Sequence, residues 1–344
     1  MKKLIILLTG VVFTLSATEG QVPLREKRQA ARLYNEAVLA VQNEDYQRAV
    51  SLFGDCFATD PSNLDALLQK GKAEIETGMY KVALSDLDQL LFAMPENGEA
   101  WFYKGYLLYG TIPCDEAEPM FDNAVKYGYT IAEAYYYRGI TRLLCGKADQ
   151  ALIDFNSAVE KKPDYPLAYH DRAGIKRVQG DLQGALYDYK LAVNYQDFFP
   201  LAYNNMGAVK IRLGDYAGAI ADFDKAVSQD STLVYAYNNR GYAYYQLGDY
   251  EKALADFNRA AALSSDFPEA GLNRAVTLAK SRDLEGALLM FDQAAQVFPS
   301  YGLIYLNRGL VREMTGDLDG ACADWTRARE LGIEEASRYL KECK

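Results

Sequence analysis

The chain carries one histidine, His170, and five cysteines, Cys56, Cys114, Cys145, Cys322 and Cys343. These side chains would have to supply an imidazole base, a thiolate nucleophile or a soft metal ligand. Their spacing supports none of those roles. One imidazole cannot build a His-based metal cluster, and no CxxC pair exists to make a thiolate site. His170 stands beside Asp171 on a helical stretch and reads as a surface residue. Acidic groups are plentiful, but Asp154, Asp188, Asp222, Asp256 and Asp324 recur at multiples of 34 residues, which marks them as structural. Arg138, Arg172, Arg240, Arg274 and Arg308 recur in the same way. No catalytic residue, no metal site and no cofactor are expected, and the chain reads as a non-enzyme.

The recurrence that disqualifies those groups is itself the main signal. Nine alanines fall 34 residues apart: Ala49, Ala83, Ala117, Ala151, Ala185, Ala219, Ala253, Ala287 and Ala321. A Gly or Ala lies twelve residues before each, and a bulky residue, from Phe53 to Trp325, lies four after. Within Val234 to Phe267, Tyr237, Gly241 and Tyr244 have the three-and-four spacing of an amphipathic helix. Gly248 supplies a left-handed residue to end that helix, and Asp249 can cap the next by accepting an orphan N–H. Ala253, Phe257 and Ala260 then line the inner face of a second helix. The Gly-Asp pair returns at Gly180-Asp181, Gly214-Asp215 and Gly316-Asp317, and Pro166, Pro200 and Pro268 open first helices, where a missing N–H costs nothing. Each unit is therefore a helical hairpin. One hairpin cannot bury its apolar face alone, whereas nine in a row share a core.

A 34-residue period with these small and bulky positions resembles the tetratricopeptide repeat, over residues 30–335 without a gap. The resemblance implies an all-α, right-handed superhelical solenoid of nine helix-turn-helix repeats, starting at 30, 64, 98, 132, 166, 200, 234, 268 and 302. Residues 21–29 form a lead-in, with the first helix beginning early near Leu24, and Glu334 to Cys343 read as a lone capping helix, giving a cap over 336–344. Two repeats depart from the pattern. The third has Ile112-Pro113 in place of Gly-Asp and a further proline at Pro119; the eighth has Gly271 where others have Tyr203, Tyr237 or Tyr305, and Arg282 at the turn glycine. Each is expected to be a soft joint. On the family's hairpin the recurrent Arg and Asp positions approach each other, within a repeat or across to the next.

Residues 1–20 belong to something else. Lys2 and Lys3 precede an apolar run from Leu4 to Leu15 and then small residues, the layout of a secretory signal peptide. The run is shorter than the roughly twenty residues that a membrane span needs. Cleavage is expected after Gly20, with Ala17 the competing site, and the product is expected to be exported to the periplasm with no membrane insertion. The formal charge is -10, and removing the leader takes away two lysines and one glutamate, leaving the chain more acidic still. Such a balance disfavours nucleic acid and anionic membranes as partners.

Export places the cysteines where pairing is possible. The second helix of one hairpin runs antiparallel to the first helix of the next, so Cys114 faces Cys145, and Cys322 faces Cys343 in the cap. Cys56 is left as a buried thiol, and unpaired core cysteines remain the alternative. The resemblance further implies that the second, fifth, ninth and twelfth positions of the first helices line a concave groove. Those positions bring Phe102, Tyr106, Tyr109, Tyr136 and Ile140 into an aromatic stretch, and Asn204, Asn238, Tyr242 and Tyr245 into a mixed one. Tyrosine offers rigid contact area with a polar tip. The expected partner is a protein or an extended peptide held in that groove. A glycan ligand, or service as the arm of an enzyme on another chain, stays open. The family's clamp for a peptide carboxylate uses Lys and Asn on consecutive first helices; the ninth positions here hold no Asn, so that mode is not expected.

Overall fold

The computed structural model describes residues 22–343, so the expected leader at 1–20 lies outside the described residues. Every regular element among them is helical, and the helices come in successive packed pairs. The chain divides into two compact units, Met1–Thr130 and Ile131–Lys344. The first contains α1 (Leu24–Gln42), α2 (Tyr46–Thr59), α3 (Leu64–Glu76), α4 (Tyr80–Ala93), α5 (Gly98–Leu108) and α6 (Cys114–Lys126). The second contains α7 (Ala132–Leu144), α8 (Ala148–Lys161), α9 (Pro166–Val178), α10 (Leu182–Tyr195), α11 (Pro200–Arg212), α12 (Tyr216–Gln229), α13 (Val234–Gln246), α14 (Tyr250–Leu263), α15 (Pro268–Lys280), α16 (Leu284–Val297), α17 (Gly302–Thr315), α18 (Leu318–Glu330) and a short α19 (Ala336–Tyr339).

The period-34 alanines are all buried, and where the small residue of the first helix is glycine the bulky residue of the second helix lies over it, as Leu87 does at Gly71 and Trp325 at Gly309. At Gly207 a Cβ would sit 2.7 Å from the Phe223 ring, so only glycine permits that approach. Phe223, Phe257 and Phe291 are in turn fully enclosed. Truncating a ring so placed costs about 3–5 kcal/mol, because the helices on either side cannot close the gap. Short-range signals hold as well: Asp181, Asp215, Asp249 and Asp317 each accept the N–H three residues on, and Pro166, Pro200 and Pro268 occupy the first turn of their helices.

Arg282 does take the left-handed conformation of the turn glycine, with φ 74°, and Glu44 does the same in the first repeat at φ 58°, a departure the sequence pattern did not flag. Both turns are held from outside the residue. Asp283 donates its N–H to Leu278 C=O at 3.0 Å, the same closing bond that Asp249 makes to Tyr244 C=O at 3.0 Å, and the backbone then imposes the conformation whatever the side chain. In the third repeat the left-handed residue is not lost but displaced to Gly110, φ 75°. There α5 stops early at Leu108, residues 109–113 make the connection, and Pro113 stands at the N-cap of α6, where it offers no side-chain cap. The C-terminal cap is shorter than expected: one turn of helix at Ala336–Tyr339, followed by a 3-10 turn at Leu340–Glu342.

Candidate partner-binding face

Within a hairpin, the recurrent arginine reaches the aspartate sixteen residues on. Arg138 meets Asp154 (2.7 Å), Arg172 meets Asp188 (2.6 Å) and Arg240 meets Asp256 (2.6 Å), and Arg308 Nε donates to Asp324 at 2.9 Å. The same guanidinium also reaches back to the preceding hairpin, from Arg172 to Asn156, from Arg240 to Asp224 and from Arg308 to Asp292. Of the two arrangements that the sequence left open, the recurrent pair forms within the hairpin, and the reach to the neighbour goes to a different position, Asn156, Asp224 or Asp292. Each guanidinium lies over the tyrosine three residues before it, Tyr135, Tyr169, Tyr237 or Tyr305, at 5.2–5.6 Å from the ring centre. In the first unit lysine does this work: Lys70 pairs with Asp86 at 2.6 Å and Lys104 with Asp88 at 2.7 Å. Burial and the Asp86 charge push the neighbouring Glu74 carboxyl up to about 6.

The fifth position of the repeat does not face outward when it carries a ring. Phe102 is buried among Tyr103, Phe121 and Tyr129, and Tyr136 is buried against Phe155 and Tyr165, donating its hydroxyl to Asp171 at 2.9 Å. Neither lines a groove as expected. His170, at the same position, is likewise packed rather than a surface residue: its ring lies 4.9 Å from Phe199, Nδ1 is 2.9 Å from Asp171 and Nε2 is 3.1 Å from Asn205. The physical reason is that this position points into the seam with the following hairpin, where a ring gains more from burial than from water.

What remains on the first-helix side differs between units. In the first, Tyr106 and Tyr109 are half-buried with ring centres 5.9 Å apart, and Tyr106 also stacks on Phe102 at 6.2 Å. In the second, successive first helices touch one another directly. Asparagines bridge them: Asn239 donates to Asn204 at 3.3 Å and Asn273 to Asn238 at 2.9 Å. Tyr242 is exposed and stacks on Tyr245 at 6.4 Å, while Ile140 is half-buried against the Phe155 cluster. Tyr245 opens onto a hollow of ≈ 330 Å³ shared with Val276, Lys280, Asn307, Leu310 and Met314. Lys280 and Met314 were missed because they occupy the thirteenth position of their repeats, one residue beyond the set that the resemblance supplied. Extending that set by a residue at the helix end would have found them.

Cys322 is bonded to Cys343, with Cα atoms 5.7 Å apart, tying the short cap to α18. Cys56 is a buried free thiol whose sulfur accepts from Asn63 at 3.5 Å, and burial raises its pKa above the ordinary thiol value. Cys114 and Cys145 belong to different units, and neither is a free thiol. Among the described residues there is no cluster of three or more metal-ligating side chains, and no helix is long and apolar enough to cross a membrane.

Packed helical hairpins with an internal ion-pair ladder and ring-bearing first helices define a repeat scaffold that presents surface. The chain is a member of the tetratricopeptide repeat family. Its profiles, described as tetratricopeptide repeat or TPR repeat, match residues 40–109, 114–166, 209–248, 234–267 and 272–331. Such repeats are generally non-catalytic scaffolds that bind protein or peptide partners. No curated protein matches the chain. Among solved structures it is similar to the Cut9-Hcn1 hetero-tetramer of the APC/C, at 14% identity and TM-score 0.55, covering 91% of this chain and 76% of that one. It is similar also to the C-terminal part of a TPR repeat-containing protein from Cytophaga hutchinsonii, at 20% identity and TM-score 0.56, covering 70% and 99%. A third is PilW, described as a widely conserved type IV pilus biogenesis factor, at 21% identity and TM-score 0.55, covering 61% and 98%. At these identities the likeness is one of fold.

Proposed function

We propose that this chain is an exported interaction scaffold that holds a protein or an extended peptide against its first helices. The observation that carries the reading is the surface of the second unit, where the exposed Tyr242 and its stacked partner Tyr245 adjoin a row of asparagine amides and an open hollow. Rings give contact area at small entropic cost, and amides match the donors and acceptors of an extended backbone. Tyr106 and Tyr109 offer a second ring patch in the first unit. A photo-crosslinking residue at Tyr242 in cells of the native host should capture one defined partner, and the same residue at Leu289, exposed on a second helix, should not. Replacing both Tyr242 and Tyr245 with Ala should weaken capture by a factor equivalent to ~2 kcal/mol or more. Equal capture from both positions overturns the reading.

Export rests on the Lys2 to Leu15 pattern, and the periplasm is the compartment proposed. N-terminal sequencing of the protein from its host should begin at Gln21 or Thr18; an intact Met1 overturns it. Non-reducing peptide mapping of that material should return Cys322–Cys343, a Cys114–Cys145 link and a free Cys56.

A further inference from the structure

The eighth hairpin keeps its ladder arginine and loses the two groups that such an arginine holds within its own hairpin. In the seventh, Arg240 lies between the Tyr237 ring, 5.5 Å away, and the Asp256 carboxylate, 2.6 Å away. One repeat later those two positions are Gly271 and Met290, while Arg274 remains. Among the described residues Arg274 has no hydrogen bond and no ion pair. Where the tyrosine ring would sit there is a pocket of ≈ 240 Å³, walled by Phe267, Phe298, Val297 and Ala261, with Arg274 and Met290 on its lining. A cavity of about 150 Å³ already suffices for benzene. The pocket lies between the end of α14 and α15–α16, apart from the hollow that Tyr245 opens.

A ligand complementary to this pocket supplies the two groups that the repeat lacks. We infer that it binds an aromatic carboxylate, a ring joined through a short aliphatic link to a carboxylate. The ring would enter between Phe267 and Phe298, whose edges and faces suit it, and the carboxylate would take the guanidinium fork of Arg274 in the bidentate geometry that Asp256 uses on Arg240. Two sources carry this chemistry, a free aromatic acid and the aromatic C-terminal residue of a polypeptide. The site is independent of the first-helix face.

The test is calorimetric titration of the full chain with three probes: 3-phenylpropanoate, an acetylated tetrapeptide ending in Phe with a free carboxylate, and the same peptide as its C-terminal amide. Saturable binding is expected for at least one carboxylate probe, with the amide at least tenfold weaker than the acid. Binding of the peptide alone identifies a polypeptide C-terminus as the source, whereas binding of phenylpropanoate identifies the free acid. Two variants rebuild the missing partners. Gly271→Tyr places a ring in the pocket, and its Cβ meets only Ala294 at 3.5 Å, an ordinary contact. Met290→Asp returns a carboxylate to Arg274. Each should weaken binding tenfold or more, as should Arg274→Gln. No saturable binding by any probe, equal binding of acid and amide, or unchanged affinity in the folded variants overturns the proposal.

Discussion

The sixth and eighth hairpins break the same ladder from opposite ends. The sixth has Met206 at the arginine position and keeps Asp222; the eighth has Met290 at the aspartate position and keeps Arg274. In the sixth the buried carboxylate keeps the second cation of the ladder, Lys210 Nζ at 2.6 Å, at the position from which Arg142, Lys176 and Arg312 also reach their aspartates. In the eighth nothing replaces the lost carboxylate. The asymmetry follows from solvation. A buried carboxylate on a second helix has no route to water and is held by the cation that remains, whereas an arginine on a long stem can keep its head at the surface. Burial still raises the pKa of Asp222 above the ordinary carboxylate value despite Lys210, so the remaining cation compensates incompletely. An anion deficit at the rim of a pocket is tolerable to the fold, and for that reason it is open to use.

The comparison can be broken by mutation. Arg240→Ala leaves Asp256 buried without its fork and should cost about 3–5 kcal/mol in urea unfolding, while Arg274→Ala should stay within about 0.5 kcal/mol. Equal losses would show that Arg274 has a structural partner after all. Lys210→Met should cost about 1.5–3 kcal/mol at neutral pH, the usual worth of a hydrogen bond to a charged group. Because the folded pKa of Asp222 is raised, its protonated form is favoured in the folded chain, and the stability linked to it is present at acid pH and lost as pH rises through the folded value. The Lys210→Met penalty should therefore shrink as pH falls toward the ordinary aspartate value; a penalty independent of pH would mean that Asp222 is not the group left stranded. The smallest effect concerns the turns. Arg282→Gly removes a left-handed non-glycine residue from the eighth hairpin and should raise stability by about 1 kcal/mol, whereas Gly248→Ala in the seventh should lower it by a similar amount. Thermal melts of the two variants give the sign directly.

Much of the molecule was legible beforehand where the determinants are local or strictly periodic. The alanine series, the aromatic four residues on and the Gly-Asp turns each act within one hairpin, so their spacing alone fixes helix boundaries, caps and the inner face. The face rule failed where a residue's fate depends on the next hairpin. Phe102, Tyr136 and His170 share a position with Asn204 and Asn238, and the position alone does not say whether a side chain is drawn into the seam.

By itself the sequence determined the repeat, the hairpins, the recurrence of Arg and Asp and the two places where the pattern lapses. Tertiary structure alone decided that one guanidinium serves two hairpins at once, that Lys210 still holds Asp222 where Met206 cannot, and that the lapse at Gly271 and Met290 coincides with an unpaired arginine beside an open pocket. The first set follows from backbone geometry, which repeats every turn and every hairpin. The second depends on which side chains meet across helices, and that distance is set by packing between elements far apart in the chain.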